Sequence, residues 1–336
     1  MDTPGNPAPA APAVDIRRVT AAYFALQSVA IAAWWIVLWR VPSVRGWFVV
    51  PGGAEPSLLA FWVPDLVIGG AGSMLAAWLV LRASRWAGPA LWLVAGAMLY
   101  ATLYCVAASF AAGGAWLNVA LMTPAALASL ALAGLNALPA DRLMRPAAPA
   151  SAGRKVVRTL AQCAVVWGVT LALLPALLLI IDRHFRLPRL AIPNQLGIAA
   201  AIFIAFSALN LWTGLTLATR GEGTPLPLEA PRRLVISGPY AWVRNPMAVA
   251  GLGQGMAIAL AFGSWLLMAY VVAGGLLWNF GLRPPEERDL LDRFGAEYAG
   301  YRRAIRCWIP SLRPYRTVSR TAGTYPITLK ETSIGR

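Results

Sequence analysis

The sequence predicts an all-α fold, a polytopic integral-membrane bundle of about eight transmembrane helices followed by a C-terminal amphipathic helix. Three observations predict it. Of 336 residues, 58% are hydrophobic and 13% charged, and the mean hydropathy is +0.60, whereas soluble domains keep about a quarter of their residues charged. Eight apolar stretches approach the roughly 20 residues a helix needs to cross a 30 Å hydrocarbon core. The charge, 29 Lys+Arg against 14 Asp+Glu for a formal +15, lies almost wholly between those stretches. Disorder is excluded, because so apolar a chain cannot stay solvated. A basic chain suits nucleic acid or a membrane; no basic motif with interleaved aromatics appears, so the reading is membrane and no nucleic acid.

Taken in order, residues 1–19 form a Pro- and Ala-rich tail expected to be disordered. It lacks the positive n-region of a cleaved signal peptide. Residues 20–138 form a four-helix N-terminal membrane region with spans near Ala21–Val41, Ser57–Leu81, Ala87–Phe110 and Ala115–Leu138. Trp34, Trp35, Trp39 and Trp47 read as an aromatic belt at the outer interface. Asp65, the one acid inside any span, reads as the cap of a broken helix or the lining of a substrate entry. Residues 139–157, rich in Pro, Ala and basic side chains, form a cytoplasmic linker. Residues 158–316 hold the spans Leu160–Ile181, Gln195–Ala218, Pro246–Phe262 and Trp265–Leu282, the last two joined by Gly263-Ser264 as a tight hairpin. Residues 317–336 are a C-terminal tail.

With the N-terminus inside, 24 basic residues fall on the inner side and five (Arg40, Arg45, Arg183, Arg186 and Arg189) outside. The positive-inside rule then sets a multi-pass protein of a bacterial-type inner (plasma) membrane with both termini cytoplasmic. Cys105, Cys163 and Cys307 show no metal-ligand spacing and no obvious pair. His184 is the single histidine, so neither a zinc site nor a His-based triad is expected, and no metal is assigned.

Chemistry concentrates between Leu234 and Pro310. Gly238-Pro239 signals a turn at the membrane surface. In Asn245-Pro246, Asn suits an N-cap and Pro the first helical position. The helix that follows carries Gly251 and Gly255, a GxxxG that permits close approach of a backbone or a ligand. Its N-terminus, beside Arg244, suits a carboxylate or phosphate; turning the chain and capping a helix would explain the same residues. Beyond the last span, Glu286 and Glu287 form an acidic pair at the membrane boundary, three residues after Arg283. Leu290, Phe294, Tyr298, Tyr301 and Ile305 then recur as one apolar helix face. Glu287 shares the inward face and needs a cationic partner, which Arg283, Arg244 or a cationic ligand would supply.

In order and spacing these motifs resemble the isoprenylcysteine carboxyl methyltransferase family and the related bacterial phospholipid methyltransferases. The residues that carry the resemblance are Gly238-Pro239-Tyr240, Val243-Arg244-Asn245-Pro246-Met247, Glu286-Glu287, Phe294-Gly295, Glu297-Tyr298, Tyr301 and Trp308-Ile309-Pro310, over about the last half of the chain. The resemblance implies a membrane-embedded methyltransferase that uses S-adenosylmethionine in a cytoplasm-facing pocket and acts on a lipid or lipid-tethered acceptor. It implies that Tyr240, Arg244, Asn245 and Pro246 bind the adenosine and methionine parts of the cofactor. Glu286 and Glu287 would meet the ammonium and sulfonium region, Arg283 would orient an anionic acceptor, and Tyr298 and Tyr301 would close the site. Arg283, Glu286 and Glu287 are the catalytic candidates. Three departures stand out: Asn245 where many members carry histidine, Ala248 where tyrosine is usual, and Pro284-Pro285 in place of further acids. Two other functions fit the layout, a nicotinamide-dependent membrane reductase of the steroid-reductase kind and a non-catalytic scaffold. The acceptor's nucleophile (carboxylate, amine or thiol) and the oligomeric state stay open.

Overall fold

Residues 16–137, 152–221 and 232–315 are described by a computed structural model of the chain. Most of the expected N-terminal tail, most of the linker and the C-terminal tail lie outside the described residues. The described residues are helical apart from loops and one isolated bridge between Arg189 and Ser264. The helices are α1 (Ile16–Arg40), α2 (Glu55–Leu81), α3 (Ala87–Ala112), α4 (Trp116–Ala137), α5 (152–184), α6 (Gln195–Gly221), α7 (Pro246–Phe262), α8 (Trp265–Leu277) and α9 (Arg283–Ala304). Among the described residues seven helices are long and apolar enough to cross a membrane, with α8 and α9 counted together. The eighth expected span is α7, whose 17 residues reach about 25 Å. It packs against α6 on one side and α8 on the other. From Trp265 to Gly295, where the helix breaks, the α8–α9 element extends about 45 Å, longer than a hydrocarbon core. Its apolar part runs through Leu282, and the charged α9 follows it.

Two helices begin earlier than the sequence suggests. In α1 the first turn is helical from Ile16, because the Arg17 guanidinium donates to the Val80 carbonyl at the end of α2 (2.9 Å). Helix α5 starts at Ala152, inside the expected linker. Four wide i→i+5 turns interrupt the helices, at Asp65–Ala71, Gly168–Leu173, Leu217–Gly221 and Trp278–Leu282. Three abut a proline (Pro64, Pro175 and Pro284-Pro285), whose missing N–H leaves a carbonyl one turn back without its donor.

The first four helices pack around an Ala-rich core with Phe24, Leu91, Val94 and Met98 at its centre. A polar network crosses it. Gln27 donates to Ser73 Oγ (3.0 Å), Tyr23 and Ser129 donate to Gln27 Oε1 (2.7 and 3.0 Å), and Asn136 donates to Thr20 Oγ1 (2.6 Å). Trp35 is buried and its indole N–H donates to Asp65 Oδ2 (3.2 Å). It is therefore Asp65's partner rather than a belt residue, whereas Trp39 and Trp47 are exposed as a belt requires. Val119 and Ala120 of α4 pack on Leu177 of α5 and join the two halves.

The α7–α8 hairpin forms as expected. Gly263 adopts φ +60°, and a Cβ there would lie 2.1 Å from the Leu190 carbonyl oxygen, so only glycine fits. Ser264 then caps α8 by accepting from Leu267 N (3.2 Å).

Candidate functional site

The site is built where the Arg-rich ends of α6, α7 and α9 converge. Gly238-Pro239-Tyr240-Ala241 forms a single 3-10 turn. Gly238 has φ +62°, and a side chain there would press on Thr216 Oγ1 of α6 at 3.2 Å. Asn245 caps α7 as the sequence predicts: its Oδ1 accepts from Ala248 N (3.0 Å), with Pro246 at the first helical position. The capped N-terminus of α7 therefore starts beside Arg244.

Helix α9 approaches from the other side. Gly295 breaks it at φ +48°, re-aiming its second half. Leu290, Phe294, Tyr298, Tyr301 and Ile305, the predicted apolar face, pack on Leu234 and Ile236 ahead of the turn. Tyr301 Oη donates to the Tyr240 carbonyl (2.6 Å). The chain after α9 then folds back as a clasp. Arg244 N donates to Arg306 O (2.9 Å), Ser311 N to Trp242 O (2.7 Å) and Tyr315 N to Ala241 O (2.8 Å). Trp308 Nε1 donates to Asn279 Oδ1 (2.9 Å) and its ring stands edge-on to Trp278 at 5.0 Å.

The charges meet inside this clasp. Arg244 Nη2 lies 3.2 Å from Glu287 Oε1, Arg302 Nη1 lies 3.8 Å from Glu287 Oε2, and Arg244 Nη1 donates to the Arg302 carbonyl (3.0 Å). Of the partners the sequence offers Glu287, the fold brings Arg244, and it adds Arg302, which sequence reasoning leaves on the solvated face. Three buried polar atoms of this cluster lack a hydrogen bond, Arg244 Nε, Arg283 Nε and Glu287 Oε1, the last of them still ion-paired with Arg244. Glu286 reaches the surface yet is crowded by protein. Burial, and after it the charges of Glu287 and Asp289, pushes its carboxyl up to about 7. Burial, then Glu286 and Tyr301, pushes the Tyr240 phenol above its ordinary range; burial raises Tyr298 and Tyr301 likewise. Both therefore stay neutral hydrogen-bonding groups. Tyr240, Arg244, Asn245, Pro246, Glu286, Glu287, Tyr298 and Tyr301 thus form one cluster. Arg283 stands one turn ahead of the acidic pair on α9.

A cavity of about 310 Å³ opens behind the α7 N-terminus, between α5, α6, α7 and α8. Met247, Ala248 and Gly251 line its near end, Asn210, Gln254 and Gly255 its depth, and Gly274 and Val166 its exposed rim. A Cβ added at Gly251 or Gly274 would meet nothing within 4 Å, so both glycines leave cavity space open. The GxxxG pair divides its work: Gly251 faces the cavity, while a Cβ at Gly255 would come within 2.9 Å of Val271 on α8. Ala248, one of the departures, also leaves this wall without a ring. Sequence reasoning misses Asn210 and Gln254. The available signal is an amide side chain in the middle of an apolar span. Among the described residues no group of three or more His, Cys, Asp or Glu is placed to hold a metal.

Residues 195–297 match the model of the phospholipid methyltransferase family. This segment is a phospholipid methyltransferase domain. It runs from the start of α6 into α9 and contains every predicted site residue except Tyr298 and Tyr301, which follow directly. No curated protein and no solved structure matches the chain. The matched segment supplies α6, α7 and α8 to the cavity, while α5 and the clasp residues after Ala304 lie outside it.

Proposed function

We propose that the protein transfers a methyl group from S-adenosylmethionine to a lipid-like or lipid-tethered carboxylate or amine at the cytoplasmic face of the membrane. The observation that carries this is the meeting of both signs of charge in one clasp, with Arg244 and Arg302 on Glu287 and Glu286 beside them. Arg244, whose Nε makes no hydrogen bond, suits a carboxylate, while Glu287 and the neighbouring Glu286 carboxylate suit an ammonium or sulfonium. S-adenosylmethionine has both kinds of group, and it supplies an electrophilic methyl on a sulfonium. The chain's own contribution is placement and desolvation. Arg244 holds Glu287 in a fixed pose, Tyr240 lends a neutral phenol beside Glu286, and the clasp through Tyr301 and Trp308 excludes water. In-line displacement gains most of its rate from such positioning. Arg283, with its buried unpaired Nε, orients the acceptor's charged head. The apolar cavity receives the acceptor's hydrocarbon part through the exposed rim at Gly274, and the family match supports a lipid there.

Titration calorimetry on the detergent-purified full chain tests the reading. S-adenosylmethionine gives a saturable heat that Glu287→Gln abolishes, and membranes with methyl-labelled donor yield a labelled lipid-phase product. Heat from NADPH and none from S-adenosylmethionine would overturn it in favour of the reductase.

A further inference from the structure

The clasp has an outer side that the site does not use. Between Arg302 and Arg313 the chain carries four arginines and no acid. Leu312 is 98% exposed and Ile309 59% exposed, and Pro310 between them is exposed as well. Loose backbone does not explain this, because the loop is tied down along its length. Arg244 N donates to Arg306 O, Ser311 N to Trp242 O and Tyr315 N to Ala241 O. Depth then decides what covers these side chains. Trp308 stands against Trp278 and Asn279, in the final apolar turn of the α8–α9 element before α9. Phe280 and Leu282 of that same turn are exposed too. The apolar tip of the clasp thus continues the bare surface of the span at its charged end. Beside it a recess of about 290 Å³ is lined by Arg306, Pro310, Ser311 and Leu312. It sets a guanidinium and a hydroxyl next to bare hydrocarbon.

We infer that the outer side of the clasp is a seat for an anionic phospholipid of the surrounding leaflet. Leu312 and Ile309 enter the acyl region, and the lipid phosphate sits at Arg306 and Ser311. A guanidinium matches a phosphate in charge and geometry. Apolar side chains flanked by arginines settle where headgroups meet acyl chains, the more so where the lipid is anionic. A soluble anion would serve Arg306 but leave Leu312 and Ile309 in water, so the occupant is a lipid. The carbonyl of Arg306 accepts from Arg244 N, which joins the seat directly to the charged cluster. The inference does not depend on what that cluster transfers, and its test needs neither methyl donor nor acceptor.

The full chain, with Cys105, Cys163 and Cys307 replaced by alanine and a nitroxide on Leu312→Cys, is placed in nanodiscs of phosphatidylcholine with or without phosphatidylglycerol. Paramagnetic resonance reads the label's access to oxygen, which concentrates in hydrocarbon, against its access to a water-soluble nickel complex. With phosphatidylglycerol present the label favours oxygen, as a label on Phe280→Cys in the span does. Arg306→Gln shifts the ratio of seated to free clasp about fivefold towards free, the worth of one arginine at an anionic surface. High salt acts in the same direction. A label that meets mainly the nickel complex overturns the seat. An oxygen preference identical in phosphatidylcholine alone, or unchanged by Arg306→Gln, overturns the anionic lipid as its occupant. Amide hydrogen exchange tests the same point in the unsubstituted protein, so a variant that fails to fold does not remove the test. Residues 306–315 exchange more slowly when phosphatidylglycerol is present, and equal exchange in the two discs overturns the inference.

Discussion

The two halves of this molecule handle buried polarity differently, although Ser109 Oγ of α3, and Thr159 Oγ1 and the Asp182 carboxylate of α5, also lack hydrogen-bond partners. In the first four helices the central polar groups satisfy one another: Tyr23, Gln27, Ser73 and Ser129 close a network between α1, α2 and α4, and Asp65 takes the Trp35 indole N–H. In the methyltransferase domain and its clasp, Arg244, Arg283 and Glu287 each keep a buried atom without a hydrogen bond, and a cavity opens beside them. Closed networks hold helices together where lipid offers no hydrogen bonds. Buried polar atoms without a hydrogen bond cost stability, and charged groups in such settings cluster at functional sites.

The strongest way to break this contrast is Glu287→Gln. Leaving Arg244 beside a neutral amide costs transition-state or donor binding about 2–5 kcal/mol, so methyl transfer falls on the order of 100-fold while thermal unfolding is little changed. An equal loss of activity and stability would make Glu287 scaffold. Gln27→Leu is the converse experiment. It removes the donor to Ser73 and the acceptor shared by Tyr23 and Ser129, lowers stability by about 1–3 kcal/mol, and leaves the rate per folded molecule unchanged; kinetics on the purified, correctly folded fraction check this.

A smaller effect follows from Glu286, whose carboxyl is raised to about 7. Below that pH it is neutral and attracts no cation; above it, it is ionised. Affinity for a cationic donor therefore rises as pH increases through about 7, and Glu286→Gln flattens the profile in calorimetry at several pH values. A profile identical in the variant would detach Glu286 from the donor. The smallest effect is expected of Asn245→Ala. It removes the cap of α7 and costs about 1 kcal/mol of stability, with a several-fold weaker donor affinity if the α7 N-terminus serves the site.

The N-cap at Asn245, the hairpin at Gly263-Ser264 and the inward face of α9 were legible in the sequence, because each depends on residues within one or two turns of one another. The two motifs around the hairpin were legible as patterns for the same reason. Arg302 was not, because its position on α9 looks solvated until Gly295 bends the helix and the clasp brings Arg244 across. Trp35 read as a belt residue, since a tryptophan near a span end carries no mark of whether it faces lipid or a buried acid. Asn210 and Gln254 were visible only as amides in apolar helices.

What the sequence by itself determined is the set of spans, the basic asymmetry between their ends, and the local chemistry of the caps and turns. Hydrophobic length and proline or glycine stereochemistry act over a few residues and need no tertiary partner. Only the tertiary structure decided which charges meet, which polar atoms stay unsatisfied and where a cavity opens. Those depend on side chains tens of residues apart packed against one another, as when Arg244 on one side of the α7–α8 hairpin meets Glu287 on the other.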